Sequence, residues 1–203
     1  DPSGAGKGAA PAANLVFQST EDYVVISSIC KALYGYTDGY YLTGIPVDAG
    51  DLLLQAYNWG ARIHNNSWGA ATHSMYTINS SEVDEFVAKR RDTLIVISAG
   101  NEGQASDRRN SRQGYVDWLS IGSPASSKNA LTVGASRSSR SDGAFSSLRY
   151  GAAWPDVFPH APIANENVSG DPNKLAAFSS RGPCDDRRIK PDVVAPGTDI
   201  AST

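Results

Sequence analysis

The chain is predicted to be an α/β domain, a parallel β-sheet with helices on both faces. Three observations carry this. Strand-like and helix-like segments alternate along the 203 residues, as a chain of βαβ units does. The best strand, "TLIVIS" at 93–98, is nearly continuously apolar, the pattern of a strand covered on both faces. The polar turns "NSWG" and "SAGNEG" close two successive strands, and ligands gather beyond the carboxyl ends of parallel strands. The length suits one sizeable core, so residues 1–203 are expected to belong to a single domain.

Each element has its own grounds. "NLVFQ" (14–18) reads as a short strand entered from a Pro/Ala-rich loop. Residues 19–44 combine "YVVISSICKAL" with a Gly-punctuated, tyrosine-rich stretch and are expected to be mostly loop. "PVDAGDLLLQAYNWGA" predicts a helix, with Leu52, Leu53, Ala56 and Trp59 on one face and Gly60 at its stop. "RIHNNSW" (62–68) is a strand ending at Gly69. "NSSEVDEFVAKRRD" is a helix capped by Ser80 or Ser81, with Val83, Phe86 and Val87 on one side. Its acids are expected in the first turn and its bases in the last, complementing the helix dipole. "ALTVGA" (130–135) follows as a strand. Residues 136–175, rich in Ser, Gly, Pro and Asn, read as a long surface insertion, because "LAAFSSRGP" and "KPDVVAPG" then resume core character.

Composition excludes several classes. A net charge of -3 with 19% charged residues offers no basic surface for nucleic acid or an anionic membrane. No apolar stretch approaches the roughly 20 residues of a membrane span. The two cysteines, Cys30 and Cys184, have no metal-ligand spacing; free thiols are expected, with a single disulfide as the alternative. "DPSGAGKGA" resembles a phosphate-binding loop and carries Lys7, but Asp1 stands where the first Gly belongs and Gly8 where the magnesium-binding hydroxyl belongs. Pro11 then interrupts the helix that should follow, so nucleotide binding is not expected.

Five motifs occur in one order: "RIHNNSWG", "LIVISAGNEG", "SPASSKNALTVGAS", "FSSRGP" and "RIKPDVVAPGTDI". Together they resemble the subtilisin-like serine proteases (subtilases, peptidase S8), and the bacterial alkaline serine proteases most of all. The resemblance implies a three-layer α/β/α domain and a secreted endopeptidase that cleaves polypeptides through an acyl-enzyme. It implies that the side-chain amide of Asn101 donates to the oxyanion of the tetrahedral intermediate, where preorganised donors stabilise developing charge. It places Ser67, Trp68 and Gly69 on one side of an extended substrate peptide and Ser98, Ala99 and Gly100 on the other. It also makes Ser123–Pro124 a cis candidate.

The catalytic triad is not expected within these residues. His64 lies inside a strand, His73 and His160 lie in polar loops, and none stands in an H-G-T-H helix start. No D-[ST]-G turn follows an apolar strand, and no G-T-S-M-A-x-P segment is present. Because the family orders its triad Asp, His, Ser, the resemblance implies that the chain is the middle of a catalytic domain, incomplete at both ends; an internal deletion at Gly4–Ala5 is the alternative origin. The chain alone is expected to be inactive and marginally stable or associating. A catalytically inactive subtilase-like domain that uses the cleft as a peptide-binding module is the second functional reading. No cofactor is required for the chemistry; structural calcium is frequent in the family, with no ligand set assignable here. Oligomeric state and the preferred substrate side chain do not follow from the sequence.

Overall fold

A computed structural model describes residues 8–104 and 112–200. The phosphate-loop-like segment from Asp1 to Lys7, with the Gly4–Ala5 junction, lies outside the described residues. The elements run β1 (Asp22–Val24), α1 (Ser28–Tyr34), β2 (Gly39–Tyr41), α2 (Ala49–Asn58), β3 (Ile63–Asn66), α3 (Ile78–Lys89), β4 (Leu94–Ser98), β5 (Leu131–Ser136), α4 (Tyr150–Ala153) and β6 (Val193–Pro196). Four strands form a sheet in the order β3-β4-β5-β6. All its pairings are parallel, with Asn66 opposite Ile97 and Ser98 opposite Val133.

The main core lies between this sheet and the two long helices. Ile95 and Ile97 of β4 are fully buried and pack with Leu53 of α2 and with Val83 and Phe86 of α3. In α2 the predicted stripe of Leu52, Leu53 and Ala56 is buried, but Trp59 is the C-cap and is exposed. Asp48 begins that helix by accepting from Gly50 N–H, and Gly60, at φ +97°, ends it.

Both long helices cover the same face of β4. On the other face Ile63, Leu94 and Val193 are exposed, so among the described residues "TLIVIS" is covered on one side only. The helix 78–89 starts earlier than its sequence suggested, with Thr77 at the N-cap. Ser80 is instead buried, 2.8 Å from Ser126 Oγ. No acid lies in the first turn, because the earlier start moves Glu82, Asp84 and Glu85 into later turns.

Two stretches are more structured than expected. Residues 19–44 form an antiparallel pair, β1 with β2, around α1, closed at its base by Gly44 N–H donating to Thr20 O. Residues 136–175 carry a second apolar cluster, in which Tyr150, Phe158, Ile163 and Val168 pack with Ala177 of the main body. Conversely, 14–18 takes no place in a ladder, and Leu15 and Phe17 are exposed. Gln18 nevertheless places this segment beside β3 and α2, through His64 Nε2 at 2.9 Å and Leu52 O at 3.1 Å. Cys30 and Cys184 are free thiols, and Cys184 is buried.

Candidate active site

The polar turns that follow β3 and β4 emerge side by side, because the two strands are parallel neighbours in register. Ser67 leaves the sheet beside Ser98, and both are exposed. A third segment joins the two turns. Ala70 pairs antiparallel with Ser123 through two backbone bonds of 2.9 Å, and Gly122 N–H donates to Ala99 O at 3.0 Å. The Ser123–Pro124 peptide within this segment is cis, as its motif suggested.

This edge divides the sequence-predicted residues into two kinds. Among the described residues the backbones of Trp68 and Gly69 take no hydrogen bond, which leaves an open edge where an extended peptide could pair. Ala99 differs: its side chain is buried, its N–H donates to Val133 O, and its C=O is taken by Gly122. Ala99 therefore anchors this turn, while Ser98 is exposed and Gly100 is half-buried. Asn101 is exposed, and its side-chain amide has no partner among the described residues. Residues 98–100 are all small, so no bulky side chain of this turn stands between the two turns.

Backbone geometry holds Asn101 in place. Gly100 has φ +112°, and a Cβ there would lie 2.5 Å from Glu102 Oε2 and 2.8 Å from Ser180 Oγ. Only glycine accepts both that dihedral and that contact. Gly103 N–H donates to Phe178 O at 2.9 Å, and Asp117 N–H donates to Gly103 O at 2.8 Å. The turn is thus tied to the "FSSRGP" segment, some eighty residues later in the chain, on which Arg181 donates to Ser179 O at 2.9 Å and Ala176 O at 3.0 Å. Glu102 and Ser180 were not among the residues expected at the site. Their motifs were visible, but only the folded chain joins them.

None of the three histidines hydrogen-bonds to Ser67–Gly69 or Ser98–Asn101 among the described residues. His64 faces the helix-covered side; burial lowers its pKa, opposed in part by Asn66. Gln18 Nε2 donates to Leu52 O and to Gln55 Oε1, so Gln18 Oε1 is the acceptor and His64 Nε2 carries the proton. His73 sits in a loop at φ +51°, and His160 is exposed. Among the described residues no group of three or more His, Cys, Asp or Glu side chains could hold a metal ion. No described helix is long and apolar enough to cross a membrane.

Comparison with known proteins agrees with the motifs. Residues 42–203 match the subtilase family, Peptidase S8. Pyrolysin from Pyrococcus furiosus is 38% identical over 126 residues, covering 61% of this chain and 8% of pyrolysin. The serine protease/ABC transporter B family protein tagD from Dictyostelium discoideum is 26% identical over 204 residues, covering 77% of this chain and 10% of that protein. The chain thus spans 8% to 10% of the length of these curated relatives. A solved structure, the Clostridium perfringens CspB protease, is similar at 14% identity and a TM-score of 0.49, covering 84% of this chain and 56% of that one. The chain belongs to the subtilase family.

Proposed function

We propose that this chain is the central part of a secreted serine endopeptidase domain and supplies the oxyanion donor and both substrate-binding edges. The observation that supports it best is the convergence of two turns on one sheet edge: Ser67–Gly69 with an unbonded backbone, and Ser98–Asn101 with an exposed amide side chain. An extended polypeptide laid between the turns pairs with main-chain groups on either side, and its side chain enters the space above Gly100. The scissile carbonyl then lies within reach of the Asn101 amide. That amide strengthens its hydrogen bond as negative charge grows on the oxygen, so it favours the transition state over bound substrate.

The acid, base and nucleophile of this reaction are supplied by other segments of the whole protein, since no residue here stands in their motif contexts. Neither His64 nor Ser180 substitutes for them. His64 is engaged with Gln18 away from the edge, and Ser180 is fully buried. No step requires a metal ion, and no calcium site is assigned.

Sequencing across the flanks of this segment, followed by labelling with a serine-directed fluorophosphonate, tests the reading. The full-length protein is expected to carry H-G-T-H before and G-T-S after these residues and to be labelled at that later serine. The 203-residue chain is expected to remain unlabelled. Flanks that lack both motifs would sink the endopeptidase reading and favour a peptide-binding module.

A further inference from the structure

We infer that Ser180 and Glu102 form a positioning clamp that sets the conformation of the Asn101 turn, and hence the aim of its side-chain amide. This rests on the assignment of Asn101 as the oxyanion donor. Four hydrogen bonds close the clamp. Ser180 N–H donates to Gly100 O at 3.0 Å. Ser180 Oγ accepts from Glu102 N–H and donates its own proton to Glu102 Oε2, both at 3.0 Å. Glu102 Oε2 also accepts from Asn101 N–H at 3.0 Å. The Ser180 backbone N–H thereby holds Gly100, the Ser180 hydroxyl holds Glu102 N–H, and the Glu102 carboxylate oxygen holds Asn101 N–H.

Two further features show that the clamp is rigid and specific. Ser180 is fully buried, and its neighbour Arg181 is fixed by its N–H donating to Ser120 Oγ at 2.8 Å and by its guanidinium bonds to nearby carbonyls. The missing Cβ of Gly100 is what lets the Glu102 carboxylate fold back against the turn.

The carboxylate has a cost at this position. A negative charge one residue from Asn101 opposes the negative charge that the oxyanion develops. A hydrogen-bond acceptor is therefore the useful part of Glu102, and its charge is not. This separates the clamp from a charge effect on substrate: Glu102→Gln keeps an accepting oxygen and removes the charge.

The test measures kcat and KM on a peptide substrate for the full-length protein and its N101A, S180A, E102A and E102Q variants, with the N101A/S180A and N101A/E102A doubles. Removing an oxyanion donor in a subtilisin, a member of this same family, lowers kcat by roughly 10²–10³. S180A and E102A are expected to lower kcat by about tenfold or more, within that ceiling, with KM little changed. E102Q should stay close to wild type. Each double should match N101A alone, because residues acting through Asn101 have nothing left to position once its amide is gone. Losses that add to that of N101A, or an E102Q loss as large as that of E102A, would overturn the clamp. Wild-type kcat in N101A would instead overturn the assignment of Asn101, and the clamp's catalytic role with it. If S180A does not fold, the Glu102 variants carry the comparison. Single-residue amide exchange in the same proteins gives an activity-free check: E102A should speed exchange at Asn101, and S180A at both Asn101 and Glu102. Unchanged exchange in both variants also overturns the clamp.

Discussion

Asp84 is the charged residue on which the packing of α3 against the following loops depends. It is nearly buried, and its carboxylate accepts from Lys128 N–H at 3.0 Å, Asn129 N–H at 2.7 Å and Tyr76 Oη at 2.7 Å. Hydrogen bonds to a charged group contribute about 1.5–3 kcal/mol each, and the partners left behind are costly when unpaired. Asp84→Ala is therefore expected to destabilise the chain by about 3 kcal/mol or more, and Tyr76→Phe by only about 1 kcal/mol; urea unfolding of both variants checks the order. The same contact has a pH signature. Burial first, then the hydrogen bond to Asp84 and its charge, push the Tyr76 phenol up to about 12 from its ordinary 10.0. The folded state thus keeps this proton to higher pH than the unfolded chain does. Its stabilising contribution is complete below the ordinary value and is lost as pH rises through the window from 10.0 to about 12. Burial also raises the pKa of Tyr150 and of the Cys184 thiol, so Tyr76→Phe is expected to reduce the alkaline loss of stability without abolishing it. An alkaline unfolding profile identical to wild type would count against this linkage.

Strand β4 shows how one element can be half core and half surface. Ile95 and Ile97 are fully buried against α2 and α3, whereas Leu94, on the opposite face, is 42% exposed. Truncating a buried isoleucine costs about 2–5 kcal/mol, because the lost transfer energy is joined by a cavity. Ile97→Ala is expected to fall in that range and Leu94→Ala to cost less than about 1 kcal/mol; a larger effect at Leu94 would show that its face is covered in solution. This element also marks the limit of what could be read from sequence. Its apolar run and the stripe on α2 were legible because burial on one face imposes a period. Whether a second face is covered depends on what packs there, and an apolar run looks the same either way. The site behaved similarly. The Ser67–Gly69 and Ser98–Asn101 turns were found by motif, while Ser180 and Glu102 were not joined until folding brought "FSSRGP" onto "SAGNEG". Residues 19–44 were misread for a local reason: two three-residue strands are too short to show alternation. The start of α3 at Ile78 was missed because Ser80 and Ser81 are ordinary capping residues by type, whereas the Thr77 N-cap uses its hydroxyl on Ser123 Oγ, at 2.5 Å, and not on the helix.

At the scale of the whole molecule, many large apolar side chains of the described residues are exposed. Helix α1 has no buried residue, and its Ile29, Leu33 and Tyr34 are all exposed. Val25, Tyr36 and Tyr40 of the same excursion are exposed as well, as are Leu15, Phe17 and Val47 beside it. Soluble monomers rarely present contiguous apolar patches beyond a few hundred Å², and larger ones drive association. The net charge of -3 over 203 residues provides little repulsion to oppose it. The isolated chain is therefore expected to self-associate at micromolar concentration, with a weight-average sedimentation coefficient that rises with concentration. Ile29 and Leu33 are the positions at which to break this. They are four residues apart on one face of α1, and removing them takes nothing from either apolar cluster of the core. Ile29→Glu with Leu33→Glu should lower the association while leaving the thermal transition of the main core in place. Association undiminished in that variant would move the contact to the open sheet face, where Ile63, Leu94 and Val193 are exposed. A wild-type chain that sediments as a monomer at every concentration would show that neither apolar surface attracts a second copy.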